Sequence, residues 1–185
     1  MPVSGWNGNF MAVGNGGWSG AITYGAMAEM LSRGYATAST NTGHDGSSGD
    51  ASFAMGHPEK LVDLGYRSVH ELTLKAKAIV AAFYGNAAQR SYWNGCSSGG
   101  KQGLMEAQRY PGDYNGIIAG APANYWTHLM FGDMWPGEVT LTDSAAHLSQ
   151  EKFALLHRAA LAACDAIDGV SDGLVEDPDA LPLRS

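Results

Sequence analysis

Basic residues are scarce in this chain: 11 Lys and Arg stand against 18 Asp and Glu, for a net charge of −7. A nucleic-acid binder needs a basic face to meet phosphates, so that class is excluded. The acid excess is local. Asp165, Asp168, Asp172, Glu176, Asp177 and Asp179 account for it, since without them 11 bases face 12 acids. That concentration points to a cation as partner in one stretch. Long apolar runs are also missing, and none approaches the roughly 20 residues a membrane-spanning helix requires, so no membrane partner is expected. The opening Met1-Pro2-Val3-Ser4-Gly5 has no charged segment followed by an apolar one, so no signal peptide is expected there. Cysteine is limited to Cys96 and Cys164, too few to fix a redox compartment.

Glycine, by contrast, is abundant at 25 of 185 residues, which implies many tight turns and close backbone approaches. The length suits one domain, or one domain with a small appendage, and 45% hydrophobic residues suffice for a core.

Strands and helices alternate along the chain. Asn9 to Val13 is predicted as a short strand. It runs into Gly14-Asn15-Gly16-Gly17-Trp18-Ser19-Gly20, a loop that either turns backbone N–H groups toward a ligand or serves as a flexible linker. Ala21 to Ser32 has helical spacing, with Ile22, Ala26, Met30 and Leu31 on one side and Gly34 as the stop. Tyr35 to Thr40 reads as a buried strand. From Asn41 to about Gly65 the chain is polar and irregular, and a loop of that length in a compact domain is usually functional. His44 and Asp45 are expected to hold this loop by hydrogen bonds to its backbone, with substrate contact as the alternative.

Ser68 to Tyr84 is predicted as a helix with Val69, Leu72, Ala76, Ile79 and Phe83 on one stripe and Gly85 as its C-cap. A strand over Gln89 to Asn94, a helix over Ser98 to Tyr110 stopped by Pro111-Gly112, and a strand over Asn115 to Gly120 follow. This order predicts an α/β fold, a mostly parallel sheet with helices on both faces and right-handed crossovers. Beyond Ala121-Pro122-Ala123, Trp126, Met130, Phe131, Met134, Trp135 and Pro136 crowd together, either as core or as contacts for an aromatic ligand. Ser149 to Ala163 is a further amphipathic helix with Ser149 as N-cap.

Two motifs carry chemistry. Gly95-Cys96-Ser97-Ser98-Gly99 fits G-x-S-x-G, the turn that lifts a serine off a strand end and starts a helix behind it. Taken alone the pattern equally describes a Gly/Ser loop. A strand before it, a helix after it and the clean stop at Pro111 favour a nucleophile at Ser97, with Gly95 and Gly99 required because a Cβ there would collide with crowded backbone. Cys164-Asp165-Ala166-Ile167-Asp168-Gly169-Val170-Ser171-Asp172-Gly173-Leu174-Val175 spaces three aspartates among glycines. Such a loop either wraps a hard cation or is a solvated acidic turn; it lacks the spacing and the terminal Glu of an EF-hand.

The run Asn94 to Pro111 (NGCSSGGKQGLMEAQRYP), followed by Gly116 to Ala123 (GIIAGAPA), resembles the tannase and feruloyl esterase family, which also contains the hydrolase of the terephthalate half-ester. A cysteine directly before the serine makes the resemblance specific, and it extends from about Gly5 to about Asp177. It implies an α/β-hydrolase fold, here as an internal fragment truncated at both ends: a partial core over 1–122 with the nucleophile elbow, and the start of a lid over 123–185. It implies Ser97 as nucleophile, with the N–H groups of Gly17 and Ser98 as oxyanion hole. It implies a structural calcium site formed by the side chains of Asp165, Asp168 and Asp172 and the carbonyls of Val170 and Leu174. In the family Cys96 pairs with a cysteine beside the catalytic histidine, and Cys164 with one slightly further on; both partners are absent here, and a Cys96–Cys164 bond is not expected. The catalytic Asp and His lie beyond the lid in the family, whereas after Ser97 this chain has only His128, His147 and His157, none after a late sheet strand. The implied substrates are small aromatic-acid esters, feruloyl (hydroxycinnamoyl) or galloyl, and the implied location is secreted or periplasmic. The alternatives are a non-catalytic calcium-stabilised α/β binding module and an inactive truncation product.

Overall fold

The computed structural model describes residues 1–18 and 20–175; Ser19 of the expected ligand-facing loop and the acids Glu176, Asp177 and Asp179 lie outside them. The chain divides into two compact units, Met1–Leu129 and Met130–Ser185.

In the first unit four strands, β1 (Asn9–Val13), β2 (Ala36–Ala38), β3 (Arg90–Cys96) and β4 (Gly116–Gly120), form an all-parallel sheet in the order β2-β1-β3-β4. The helices between them are α1 (Tyr24–Ser32), α2 (Pro58–Val62), α3 (Ser68–Tyr84) and α4 (Ser98–Arg109). The second unit holds most of α5 (Trp126–Thr142) and all of α6 (Gln150–Cys164). The first turn of α5 thus goes with the first unit.

A parallel sheet covered on both faces needs strands that are apolar throughout rather than alternating. β1 meets this requirement, with Phe10, Met11, Ala12 and Val13 all buried. Phe10 and Ala12 point to the face covered by α3, where they join Ala36, Val69, Ala76, Val80 and Trp93. Met11 and Val13 point to the opposite face and pack with Met30 of α1. Register pairs Met11 with Tyr92 and Trp93 with Ile117, so Trp93 sits at the centre of the sheet.

Four expectations about the elements need correction. The buried strand expected over Tyr35 to Thr40 is Ala36–Ala38, with only Ala36 buried. The α1 helix starts at Tyr24 rather than Ala21, and only Met30 of the expected apolar side is buried. The irregular stretch ends earlier than about Gly65: α2 begins at Pro58, whose missing N–H suits a first helical turn, and a π-helical turn over Asp63–Arg67 leads directly into α3. The buried face of α3 is Val69, Thr73, Ala76 and Val80, while Ile79 and Phe83 are more than half exposed. Thr73 is accepted in the core because its hydroxyl is satisfied, donating to Val69 O at 2.8 Å and accepting from the buried Tyr114 hydroxyl. The termini of α3 and its left-handed cap at Gly85 (φ 71°) match the sequence. The helix expected from Ser149 is α6, with the Ser149 hydroxyl accepting from Lys152 N–H.

Candidate active site

The site lies where β1, β3 and β4 end, on the carboxyl side of a parallel sheet, where open α/β sheets bind ligands. β3 ends at Cys96, the chain reverses through Ser97, and α4 begins at Ser98. Ser97 adopts φ 59° and ψ −119°, a conformation that costs a non-glycine residue about 1–3 kcal/mol and persists only when its surroundings enforce it. They do so through hydrogen bonds. Ser97 N–H donates to Gly120 O at 3.0 Å, and its carbonyl accepts from Lys101 N–H and Ala123 N–H at 3.0 and 3.2 Å. Trp93 Nε1–H donates to Gly99 O at 2.9 Å, anchoring the helix start to the sheet. A Cβ at Gly95 would lie 2.4 Å from Gly99 O, so only glycine lets strand and helix meet this closely. Ser97 itself is exposed, and its hydroxyl forms no hydrogen bond among the described residues.

The loop after β1 closes over this turn. Ser98 is buried and its hydroxyl donates to Gly17 O at 2.8 Å, while Trp18 N–H donates to Ser48 O at 2.9 Å, so the peptide between residues 17 and 18 is held at both ends. Gly17 has φ +57°, and a Cβ on it would lie 2.4 Å from Ser48 O. The N–H groups of Gly17 and Ser98 donate to no hydrogen bond among the described residues.

Residues not singled out by the sequence join loop and elbow. Asn15 N–H donates to Gln102 Oε1 and Gln102 Nε2–H to Asn15 Oδ1, both at 3.2 Å, and the pair is buried. Gly99 N–H donates to Asn15 O at 2.8 Å. Asn15 Nδ2 also reaches the Ala21 and Thr40 carbonyls at 2.8 Å each. The only sequence signal for this clamp was position: Asn15 inside the glycine loop, and Gln102 one turn into the elbow helix.

His44 ties its loop to the glycine loop after β1, rather than bonding the backbone of its own loop as the sequence led us to expect. It is buried, Nε2–H donates to Trp18 O at 2.7 Å, and its ring stacks on Phe53 with centroids 3.6 Å apart. Asp45 is exposed and accepts from Asn41 Nδ2 at 3.1 Å, a side-chain contact rather than the expected backbone bond. Trp18 meets Trp126 edge-on at 4.8 Å, and Lys101 Nζ lies over the Trp126 ring at 4.6 Å. Burial lowers the Lys101 pKa from its ordinary value. Lys101, Leu104, Met105, Ala123, Asn124 and Trp126 line a cleft of about 390 Å³ that begins beside the Ser97 backbone. A larger cleft, about 580 Å³, is lined by Trp6, Gly8 and Gln89 at the amino ends of the strands, the wrong end of a parallel sheet for chemistry at Ser97.

His128, in the first unit with Ser97, is exposed and forms no hydrogen bond to it among the described residues, and His147 and His157 of the second unit are exposed. Both cysteines are free thiols, Cys96 exposed and Cys164 buried. Of the two readings of the crowded apolar residues after Ala123, core or contacts for an aromatic ligand, the core reading does not hold: α5 has no buried residue, and Phe131, Met134 and Trp135 are more than half exposed.

In the second unit the acidic loop after α6 is folded by its own aspartates. Asp165 Oδ1 accepts from the N–H groups of Asp172 and Gly173 at 3.2 and 2.8 Å, drawing the two ends of the loop together. Asp168 Oδ1 accepts from Val170 N–H at 2.9 Å, and Asp172 Oδ1 from Leu174 N–H at 3.1 Å. These amides engage one oxygen of each carboxylate, and the three carboxylates do not converge within 4.8 Å of one another as a ready-made cation site.

A parallel sheet with a strained, exposed serine between strand and helix, faced by a glycine loop from the neighbouring strand, defines an α/β-hydrolase-type core. The chain belongs to the tannase and feruloyl esterase family, whose profile matches residues 1–183. It is 44% identical over 178 residues to an uncharacterised esterase of Xanthomonas campestris, covering 96% of this chain and 31% of that protein. It is 40% identical over 174 residues to a probable feruloyl esterase B-1 of Aspergillus flavus, covering 94% and 33%. Among solved structures it superposes on feruloyl esterase B from Aspergillus oryzae with a TM-score of 0.82 at 37% identity, over 95% of this chain and 35% of that one. Tannin acyl hydrolase from Aspergillus niger superposes at 0.76 and 28% identity, over 93% and 32%. The chain therefore spans about a third of the length of these relatives.

Proposed function

We propose that Ser97 is the nucleophile of a carboxylic ester hydrolase acting on aromatic-acid esters, feruloyl (hydroxycinnamoyl) or galloyl. The observation that carries this reading is the exposed Ser97 side chain on a backbone conformation the surrounding hydrogen bonds enforce. Ser97 Oγ attacks the ester carbonyl carbon as a histidine base takes its proton. The carbonyl oxygen becomes negative and is received by the N–H groups of Gly17 and Ser98, beside the positive end of the α4 dipole. Loss of one such donor typically raises a barrier by about 3–4 kcal/mol. The tetrahedral intermediate expels the alcohol, which leaves with the proton. Water, deprotonated by the same base, then attacks the acyl-serine and releases the aromatic acid. By the family resemblance, the base would be the catalytic histidine that follows the lid in sequence.

The Asp165, Asp168 and Asp172 carboxylates, with the Val170 and Leu174 carbonyls, would hold calcium that stabilises the acidic loop and takes no part in ester cleavage.

A fluorophosphonate probe tests the serine. The chain is expected to label slowly at Ser97, and Ser97→Ala to lose that label. Absence of labelling in a chain whose far-ultraviolet dichroism is that of a folded α/β protein would instead favour a non-catalytic binding module.

A further inference from the structure

A buried charged cluster lies under α4, outside the machinery above. Glu106 is fully buried, and neither of its carboxyl oxygens has a hydrogen-bond partner among the described residues. His70 of α3 and Asp113, in the turn before β4, converge on it, with one polar side-chain atom from each of the three within 4.8 Å of the others. His70 Nδ1–H donates to Asp113 Oδ2 at 2.7 Å, and the imidazole stacks on Tyr110 at 3.7 Å. Lys77 of α3 donates to the Asp113 carbonyl. Tyr114 also faces the pair, its hydroxyl given to Thr73. Arg109, the next charge along α4, turns onto the Tyr66 ring at 4.2 Å instead.

Two ionised carboxylates this close and this dry repel each other, and Glu106 has no donor to stabilise its charge. A divalent cation would relieve the repulsion, but Lys77 already brings positive charge to both carboxyls. A further double charge would turn the cluster's net charge from −1 to +1, whereas a single proton brings it to neutrality. One proton resolves it with less charge. It turns Glu106 into a donor, gives its oxygens the partner they lack, and lets Asp113 accept from Glu106 and His70 together.

We propose that Glu106 and Asp113 share one proton, and that this proton secures α4, the helix behind the Ser97 elbow, against α3 and the turn entering β4. Burial, then the neighbouring Asp113 charge, pushes the Glu106 carboxyl up to about 8, while its ordinary value is 4.5. Between those values the folded chain holds a proton that the unfolded chain has released. Folding stability therefore falls as pH rises through that window, by up to about tenfold in the folding equilibrium per pH unit, and levels off above it. None of this depends on the chemistry assigned to Ser97.

Thermal unfolding of the 185-residue chain and of Glu106→Gln, from about pH 5 to about pH 9, tests the proposal. The amide imitates the protonated acid and does not titrate. The unfolding midpoint of the native chain is expected to drop relative to Glu106→Gln up to about pH 8 and then run parallel to it. Curves parallel throughout would overturn the shared proton. So would Zn²⁺ raising the midpoint of the native chain but not of Glu106→Gln, which would assign the cluster to a metal. If Glu106→Gln does not fold, infrared spectra of the native chain decide. A neutral carboxylic-acid band is expected at neutral pH and lost in alkaline solution, and no such band at neutral pH refutes the proposal.

Discussion

At Ser97 the backbone is held where an unconstrained serine would not stay, by bonds from Gly120, Lys101 and Ala123. Gly95 makes that turn possible, and its role follows from the motif because crowding between a strand end and a helix start is local. Gly95→Ala would place a Cβ 2.4 Å from Gly99 O, with backbone rather than a flexible side chain in the way. A loss of about 1–3 kcal/mol in urea unfolding, with slower probe labelling at Ser97, is expected. Gly112→Ala, with nothing within 4 Å of its new Cβ, should unfold like the native chain. Asn15 and Gln102 were not legible in the same way. Their pairing joins residues 87 apart in the chain, and a buried amide pair looks in sequence like any two polar residues.

Among the elements, α3 shows where periodicity reads correctly and where it misleads. The end of the helix follows from Gly85, since a cap is a property of its own turn, whereas its start at Ser68 carries no cap and continues the π-helical turn before it. The buried face does not follow from the pattern, because an apolar stripe through Ile79 and Phe83 looks more favourable than one through Thr73. The threonine wins because the Tyr114 hydroxyl needs an acceptor inside the core. Thr73→Val keeps the shape but strips Tyr114 of its partner. The expected cost is about 1–3 kcal/mol, measured by chemical denaturation. Tyr114→Phe added to Thr73→Val should recover part of it, whereas additive losses would mean the two hydroxyls act independently.

For the whole chain, the two units differ in how they are held. The first buries Phe10, Trp93 and Val69 completely around its sheet. The second leaves Phe153, Leu155 and Leu156 of α6 more than half exposed, and its acidic loop is ordered by the hydrogen bonds of its aspartates. A bound cation would therefore add to stability there. Calcium at a hundredfold excess over its Kd is expected to stabilise the native chain by about 2.7 kcal/mol, and Asp168→Ala to lose that gain. An Asp168→Ala chain with the native midpoint in excess calcium would remove the site.

The sequence by itself determined the strand–helix order, the elbow with its glycines, the C-cap of α3 and the N-cap of α6, and the family, because each is written in neighbouring residues. Tertiary structure alone decided which face of α3 is buried, how the Gly17 loop is clamped to the elbow, and which carboxyls meet beneath α4. Those outcomes depend on groups far apart in the chain, whose burial and mutual charge take effect only once the sheet has brought them together.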